Sequence, residues 1–228
     1  MIYHTDGFEV RPLLSGEEVA DLRAVITDQL DQMAHALLKP YAETAPDAGL
    51  EDRIEQIAQR DPSIAGLLGD AIATDAQHHP VARRIAENLT LRAAAQSVIG
   101  IPVTAQTFRF RYSSSALSRK RQGWHSDVAR MDGGACSRTK CAIWIPLTDA
   151  GMQTGGLEIA RGRWDAPLEH DAVPGAFVIP ATALEKIEKM QPAVPAGHGL
   201  FIDRLTPHRA LENKSGKTRW SFVVWMQE

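Results

Sequence analysis

In Gly123-Trp124-His125-Ser126-Asp127 an imidazole and a carboxylate stand two positions apart. Residues two apart share a face in extended backbone, so both side chains can reach one metal ion. Two ligands do not hold a catalytic metal. Far downstream, Arg204-Leu205-Thr206-Pro207-His208-Arg209-Ala210 offers a second imidazole at His208, and Arg219 follows eleven residues later at the start of an apolar stretch. Two histidines and one carboxylate on one face of an octahedral ion leave three positions for other ligands, an arrangement suited to Fe(II) working with oxygen. Zinc accepts the same donor atoms, so the residue types point to a metal before they choose one. Taken alone, His208 reads equally well as a hydrogen-bonded core or surface histidine.

The elements that must position these groups change character along the chain. Ser15 and Glu18 form a capping box, and Val19, Leu22, Ile26, Met33 and Leu37 recur at helical spacing, which predicts an amphipathic helix over 16–39 that ends at Pro40. Its apolar stripe reads as a packing face that covers one side of a sheet. A short strand over Glu9-Val10-Arg11 precedes it. A loop at 41–50, helices over 51–59 and 62–73, and one longer helix from Pro80 to about Ser97 complete a mostly helical segment, 1–100. His78 and His79 are adjacent and leave a helix in different directions, so a ligand role is disfavoured.

After Gly100-Ile101-Pro102 the period falls to two. Gln106, Phe108, Phe110 and Tyr112 alternate with Thr107, Arg109 and Arg111. The aromatic face can pack against helices while Arg109 and Arg111 line a polar cavity, or the arginines are ordinary solvent-facing charges. Arg119-Lys120-Arg121 lies in a polar loop and reads as solvated, and Asp132-Gly133-Gly134 supplies a turn or lid. Strands are expected at 139–146, 156–160, 176–179, 199–203, 207–211 and 219–226, with a charged helix or loop at 182–191. Short strands separated by Gly, Pro and Asp describe an antiparallel jelly roll rather than a doubly wound sheet. The fold class is therefore mainly β with flanking helices, with a double-stranded β-helix (cupin-like jelly roll) core over 101–228 in a single catalytic domain, 1–228.

From Gln106 to Glu228 the chain resembles the Fe(II)/2-oxoglutarate-dependent dioxygenases, specifically the phytanoyl-CoA dioxygenase-like superfamily that includes ectoine hydroxylases. The resemblance rests on Trp124-His125-Ser126-Asp127, on the strand Lys140-Cys141-Ala142-Ile143-Trp144-Ile145-Pro146-Leu147, on Gly155-Gly156-Leu157, and on the ending His208, Asn213, Ser215, Arg219. It implies that His125, Asp127 and His208 ligate Fe(II) and that Arg219 grips the distal carboxylate of 2-oxoglutarate. Gln106 is implied as a second cosubstrate contact, with Thr139 or Lys140 assisting. O2 is the other cosubstrate, and succinate and CO2 are released. The family's usual Pro-Gly-Ser-His reads Ala160-Arg161-Gly162-Arg163 here, which puts Arg161 and Arg163 forward as substrate-binding groups beside Arg109, Arg111 and Trp124. Halogenases related to this family carry a small residue where Asp127 stands, so the carboxylate argues for oxygenation. His198 is a competing ligand, but the family spacing to Arg219 favours His208. Asp203 and Thr206 are candidates to orient His208.

The resemblance implies hydroxylation, the commonest outcome in the family, while the cationic groups Arg109, Arg111, Arg161, Arg163 and Arg209 favour a small polar substrate bearing a carboxylate, such as an amino-acid derivative or an intermediate of specialised metabolism; a pocket shaped by the apolar faces of the N-terminal helices for a more hydrophobic compound is the other reading. Desaturation or ring closure at the same site, a non-oxidative metal enzyme, and a non-catalytic cupin-like binding module are the alternatives. A net charge of −3 and a pI near 6.2 give no polycationic character for nucleic-acid binding. No apolar run is long enough to span a membrane. Cys136 and Cys141 are read as free thiols in a reducing cytoplasm. Nothing in the sequence sets the oligomeric state.

Overall fold

The computed structural model describes residues 2–37, 48–117, 123–128, 138–173 and 176–228; side chains at 34–37, 106 and 176 are not among those described. Helices come first: α1 (Tyr3–Asp6), α2 (Gly16–Leu37), α3 (Leu50–Arg60), α4 (Pro62–Asp75), α5 (Pro80–Ala86) and α6 (Leu89–Ile99), with strand β1 (Phe8–Pro12) between the first two. The strands β2 (Thr104–Ser113), β3 (Thr139–Pro146), β4 (Leu157–Ala160), β5 (Asp171–Val173), β6 (Ala176–Val178), β7 (Lys189–Met190), β8 (His198–Asp203), β9 (His208–Ala210) and β10 (Arg219–Gln227) follow.

Local chemistry explains the helix boundaries. Ser15 and Glu18 close the expected capping box reciprocally: the Ser15 amide donates to the Glu18 carboxylate at 2.9 Å and the Glu18 amide to the Ser15 hydroxyl at 3.1 Å. Asp61 caps α4, which opens on Pro62. The single helix expected from Pro80 to Ser97 is instead two. Asn88 leaves helical geometry and accepts the Thr90 amide at 2.8 Å, and this local cap competes successfully with helix continuation. His79 caps α5 through Nδ1, which accepts the Val81 amide at 3.3 Å; that is a structural use of a histidine.

Two antiparallel sheets face one another. The larger runs β1-β8-β3-β10-β2, and the smaller β7-β4-β9; β5 and β6 form a separate hairpin. Alternation along β10 divides labour between the faces of the larger sheet. Trp220, Phe222, Val224 and Met226 join Phe110, Ile143, Ile145 and Phe201 in a core shared with Leu22, Ile26, Ile54, Leu68 and Ile72 of the helices. On the other face Val223, Trp144, Leu200 and Ile202 pack against Leu157 and Ile159 of the smaller sheet. The helices thus back one sheet of a jelly roll, and the space between the sheets remains for chemistry.

Three sequence expectations need correction or placing. The segment 182–191, expected as a charged helix or loop, holds the end of a 3-10 turn, Ala181–Leu184, and strand β7, which the sequence reading did not anticipate. Alternation in β2 holds from Thr107 to Ser113 but breaks at Gln106, where the pairing with β10 shifts between Trp225↔Thr107 and Met226↔Ala105; an extra residue in one strand resets which face each side chain takes. Most of the 41–50 loop, the basic triplet 119–121, the turn at 132–134 and Cys136 lie outside the described residues, and Cys141 is a buried free thiol. Among the described residues no helix is long and apolar enough to cross a membrane.

Gly7 joins the N-terminal segment to the turn before β9. It adopts φ +80°, its carbonyl accepts the Asp203 amide at 2.9 Å and the Thr206 hydroxyl at 3.1 Å, and an added Cβ would strike the Thr206 side chain and the Gly162 carbonyl. Gly7→Ala is expected to lower unfolding free energy by about 1–3 kcal/mol in a denaturant titration, through positive-φ strain and displacement of that turn.

Candidate metal centre

The two candidate imidazoles meet through the backbone. His125 and His208 form an isolated antiparallel bridge, the His125 amide donating to the His208 carbonyl at 3.0 Å and the His208 amide to the His125 carbonyl at 2.8 Å. The ring centroids are 4.3 Å apart. Each ring is aimed by its other nitrogen. Nδ1 of His125 donates to the Gly123 carbonyl at 2.9 Å, and Nδ1 of His208 to the Thr206 carbonyl at 3.0 Å, so Nε2 of each carries the lone pair. Thr206 therefore orients His208 through its backbone, while Asp203 accepts the Leu205 amide at 3.0 Å and shapes the turn.

Asp127 completes the group. One potential ligand atom from each of His125, Asp127 and His208 lies within 4.8 Å of the others, the cluster of metal-capable residues found among the described residues. The Asp127 carboxylate is divided in function. Oδ1 accepts the Trp225 indole N–H at 3.0 Å, whereas Oδ2 is buried without a hydrogen-bond partner. A buried acceptor left unmatched carries a desolvation cost of about 1–3 kcal/mol or more, and a cation at the two Nε2 atoms removes it. The donor set fits a divalent metal. Burial, then the adjacent His208, push the His125 pKa down to about 3 against the opposing hydrogen bond to Gly123, which keeps the ring neutral and able to ligate.

Trp225, which sequence reasoning did not single out, shares the inward face of β10 with Arg219. Residues 219, 221, 223 and 225 alternate with the core-facing set, and that parity was the available signal. His170 was also missed: its Nε2 accepts the Ser126 amide at 3.2 Å and its Nδ1 donates to the Leu168 carbonyl at 2.8 Å, bracing the residue between the two candidate ligands.

Arg219 lies in the same cavity. The cavity has a volume of about 500 Å³, and its walls include Arg111, His125, Asp127, Trp144, His208 and Arg219. The Arg219 Nε donates to the Thr154 and Gly155 carbonyls at 3.2 and 3.0 Å, its guanidinium lies 4.8 Å from the Trp144 ring centre, and Nη1 is buried without a partner. Burial lowers its pKa to about 10, still far above neutrality, so a buried cation is part of the cavity wall.

Arg111 lines the cavity, and its pKa is lowered by desolvation and by neighbouring Arg109, with Asp127 opposing. Arg109 is exposed on the same side of β2 and is not among the cavity-lining residues. Gln106 sits at the β2 bulge, and its side chain is outside the described set. Thr139 is buried at the start of β3, opposite Gln227, and does not line the cavity. Lys140 pairs with Glu228 at 2.7 Å. Arg161 does not reach the cavity either; it bridges Asp6 at 3.1 Å and Glu188 at 3.0 Å. Exposed Arg163 points to His4, 3.3 Å away, again outside the cavity. Trp124, put forward as a substrate-binding group, packs with Ala160, Ile179 and Leu184 beneath the Arg209 guanidinium and is not among the cavity-lining residues. His198 begins β8 opposite Pro12 and is not part of the cluster.

A jelly roll with two imidazoles, a carboxylate and a buried arginine around one cavity has the make-up of a site for one metal ion beside an anion. Residues 3–221 match the phytanoyl-CoA dioxygenase family, and the chain belongs to it. No curated protein matches. Among solved structures, the epimerase SnoN in complex with Fe3+, alpha-ketoglutarate and nogalamycin RO is similar at TM-score 0.65 and 16% identity, covering 100% of this chain and 81% of that one. The non-heme monooxygenase ThoJ gives 0.64 and 18%, covering 99% and 75%. EctD from S. alaskensis with bound Fe gives 0.61 and 18%, covering 99% and 74%. At these identities the likeness establishes the shared fold.

Two outcomes test the centre. Trp225→Phe, which frees Asp127 Oδ1, is expected to weaken Mn(II) binding about 10- to 100-fold by calorimetry. For the metal-free protein the sign is set by His125: its folded pKa lies below the unfolded value of 6.5, so the unfolded chain takes the proton first. Stability then falls as pH drops from about 6.5 toward 3, with a slope of up to about 1.4 kcal/mol per pH unit from this one group. Denaturation in EDTA between pH 7 and 5 should show that slope in the wild type and its loss in His125→Asn.

Proposed function

We propose that this family member hydroxylates a small polar metabolite bearing a carboxylate, with His125, Asp127 and His208 holding Fe(II), and Arg219 binding the distal carboxylate of 2-oxoglutarate. The observation that carries the reading is the pair of buried atoms without partners, Asp127 Oδ2 and Arg219 Nη1, in one cavity. One calls for a cation and the other for an anion. Bound iron with 2-oxoglutarate and O2 supplies oxidation of a substrate C–H bond coupled to release of succinate and CO2.

The protein's own groups prepare that chemistry. Gly123 and Thr206 carbonyls lock both imidazoles with Nε2 forward, and the Trp225 indole reserves Oδ2 of Asp127 for the metal. The Thr154 and Gly155 carbonyls anchor Arg219 through Nε, which leaves Nη1 for a charge-assisted bond to a carboxylate. Arg111, on the same wall, offers a second cationic contact, and the mixed polar and apolar lining suits a small metabolite. Arg109, beside it at the exposed end, would attract an anion toward the opening. A reducing cytoplasm agrees with the free thiol of Cys141.

Desaturation or ring closure is the second reading; its ring-closing form is favoured by a solved structure of the same fold named a non-heme alpha ketoglutarate dependent carbocyclase. A zinc-type hydrolase would use the same three ligands without consuming 2-oxoglutarate. Anaerobic addition of Fe(II) and 2-oxoglutarate should give a weak visible charge-transfer band, absent in His208→Ala and retained in His198→Ala. Arg219→Lys should weaken 2-oxoglutarate binding by about tenfold or more, since an ammonium lacks the planar fork. Failure to form the band with wild-type protein overturns the reading. In a succinate-release screen of small carboxylates, an oxygen-containing product supports hydroxylation, and a product lacking two hydrogens with no added oxygen replaces it with desaturation.

A further inference from the structure

Glu55 is a buried carboxylate that the metal centre does not use. It projects from α3, and the donors around it are all neutral. Oε1 accepts the Ser115 amide at 2.9 Å and the Thr218 hydroxyl at 2.8 Å; Oε2 accepts the Ser115 hydroxyl at 2.9 Å and the Ala116 amide at 2.8 Å. Burial alone would raise its pKa, but hydrogen bonds from Ser114, Thr218 and Ser115 outweigh it and the pKa is lowered, so the group is ionised at neutral pH.

What Glu55 holds is the wall of the cavity. Ser113 through Leu117 line it, and Thr218 immediately precedes Arg219. The same corner is tied again by Thr218, whose amide donates to the Glu51 carbonyl at 2.8 Å, and by Asn213, whose side chain donates to the Ser113 and Lys217 carbonyls at 2.6 and 2.7 Å. One carboxylate of the helical layer thus sets both the rim segment and the backbone from which Arg219 departs.

We propose that Glu55 is a positioning residue for the cosubstrate end of the cavity, fixing the Ser115–Leu117 rim and, through Thr218, the placement of the Arg219 guanidinium. This rests on the reading of Arg219 as the 2-oxoglutarate contact. The three metal-capable residues lie on other segments, so Glu55 acts on the diacid and leaves the metal alone. Glu55→Gln keeps the shape but turns an NH2 toward amides that can only donate, leaving at least one of them unmatched.

The test is calorimetry of 2-oxoglutarate binding to Mn(II)-loaded protein, with Mn(II) affinity and thermal stability measured on the same samples. Glu55→Gln is expected to raise the 2-oxoglutarate Kd tenfold or more with Mn(II) Kd within twofold of wild type. Thr218→Val, which cuts only the link to Arg219, should raise the 2-oxoglutarate Kd several-fold and leave Mn(II) binding intact; it carries the test if Glu55→Gln does not fold. Wild-type protein that binds Mn(II) but no 2-oxoglutarate would sink the functional reading itself. If wild type binds the diacid and the folded variants bind it equally well, or lose metal and diacid binding in parallel, the positioning role is overturned.

Discussion

Two backbone hydrogen bonds between His125 and His208 are the contact on which the site depends. They join a segment within the long β2–β3 connection to the short strand β9, and a paired bridge leaves little freedom in where the two rings stand relative to one another. Everything else at the centre refines this. The Gly123 and Thr206 carbonyls choose the nitrogen that faces forward, His170 braces Ser126, and the Trp225 indole fixes one oxygen of Asp127. Two of the three candidate ligands are thus held by backbone pairing as well as by side-chain contacts.

Charge is arranged with the same economy. A guanidinium with no carboxylate beside it and a carboxylate oxygen with no donor beside it would each be destabilising on its own. Placed in one cavity they are complementary to a cation and a dianion. Arg219 is held in place by the Thr154 and Gly155 carbonyls and the face of Trp144.

Much of this was legible in the residues. The period change after Pro102 and the capping box at Ser15 separated a helical layer from the strands, and His-x-Asp with His208 identified the three groups the fold brings together; the parity of β2 left its arginines open between cavity and solvent, and the structure puts Arg111 in the cavity and Arg109 outside it. The misses have physical causes. Gln106 falls at a bulge, which periodicity does not reveal. Asn88 ends a helix through a side-chain bond that an apolar pattern hides. Arg161 and Arg163 looked available because charge is visible in sequence and partners are not; Asp6 and Glu188 neutralise the first. Trp225 and Glu55 act through contacts with residues about a hundred or more positions away, beyond the reach of local spacing.

The two-faced strand β10 has an evolutionary consequence. Its even-numbered residues from Trp220 to Met226 belong to the helix-backed core, while Arg219, Val223 and Trp225 line the cavity. Selection can therefore retool one set without disturbing the other, since neighbouring positions answer to separate surroundings. A scaffold wired in this way can diversify its catalytic repertoire while keeping its architecture, and at 16–18% identity to SnoN, ThoJ and EctD this chain still superimposes on them over nearly its whole length.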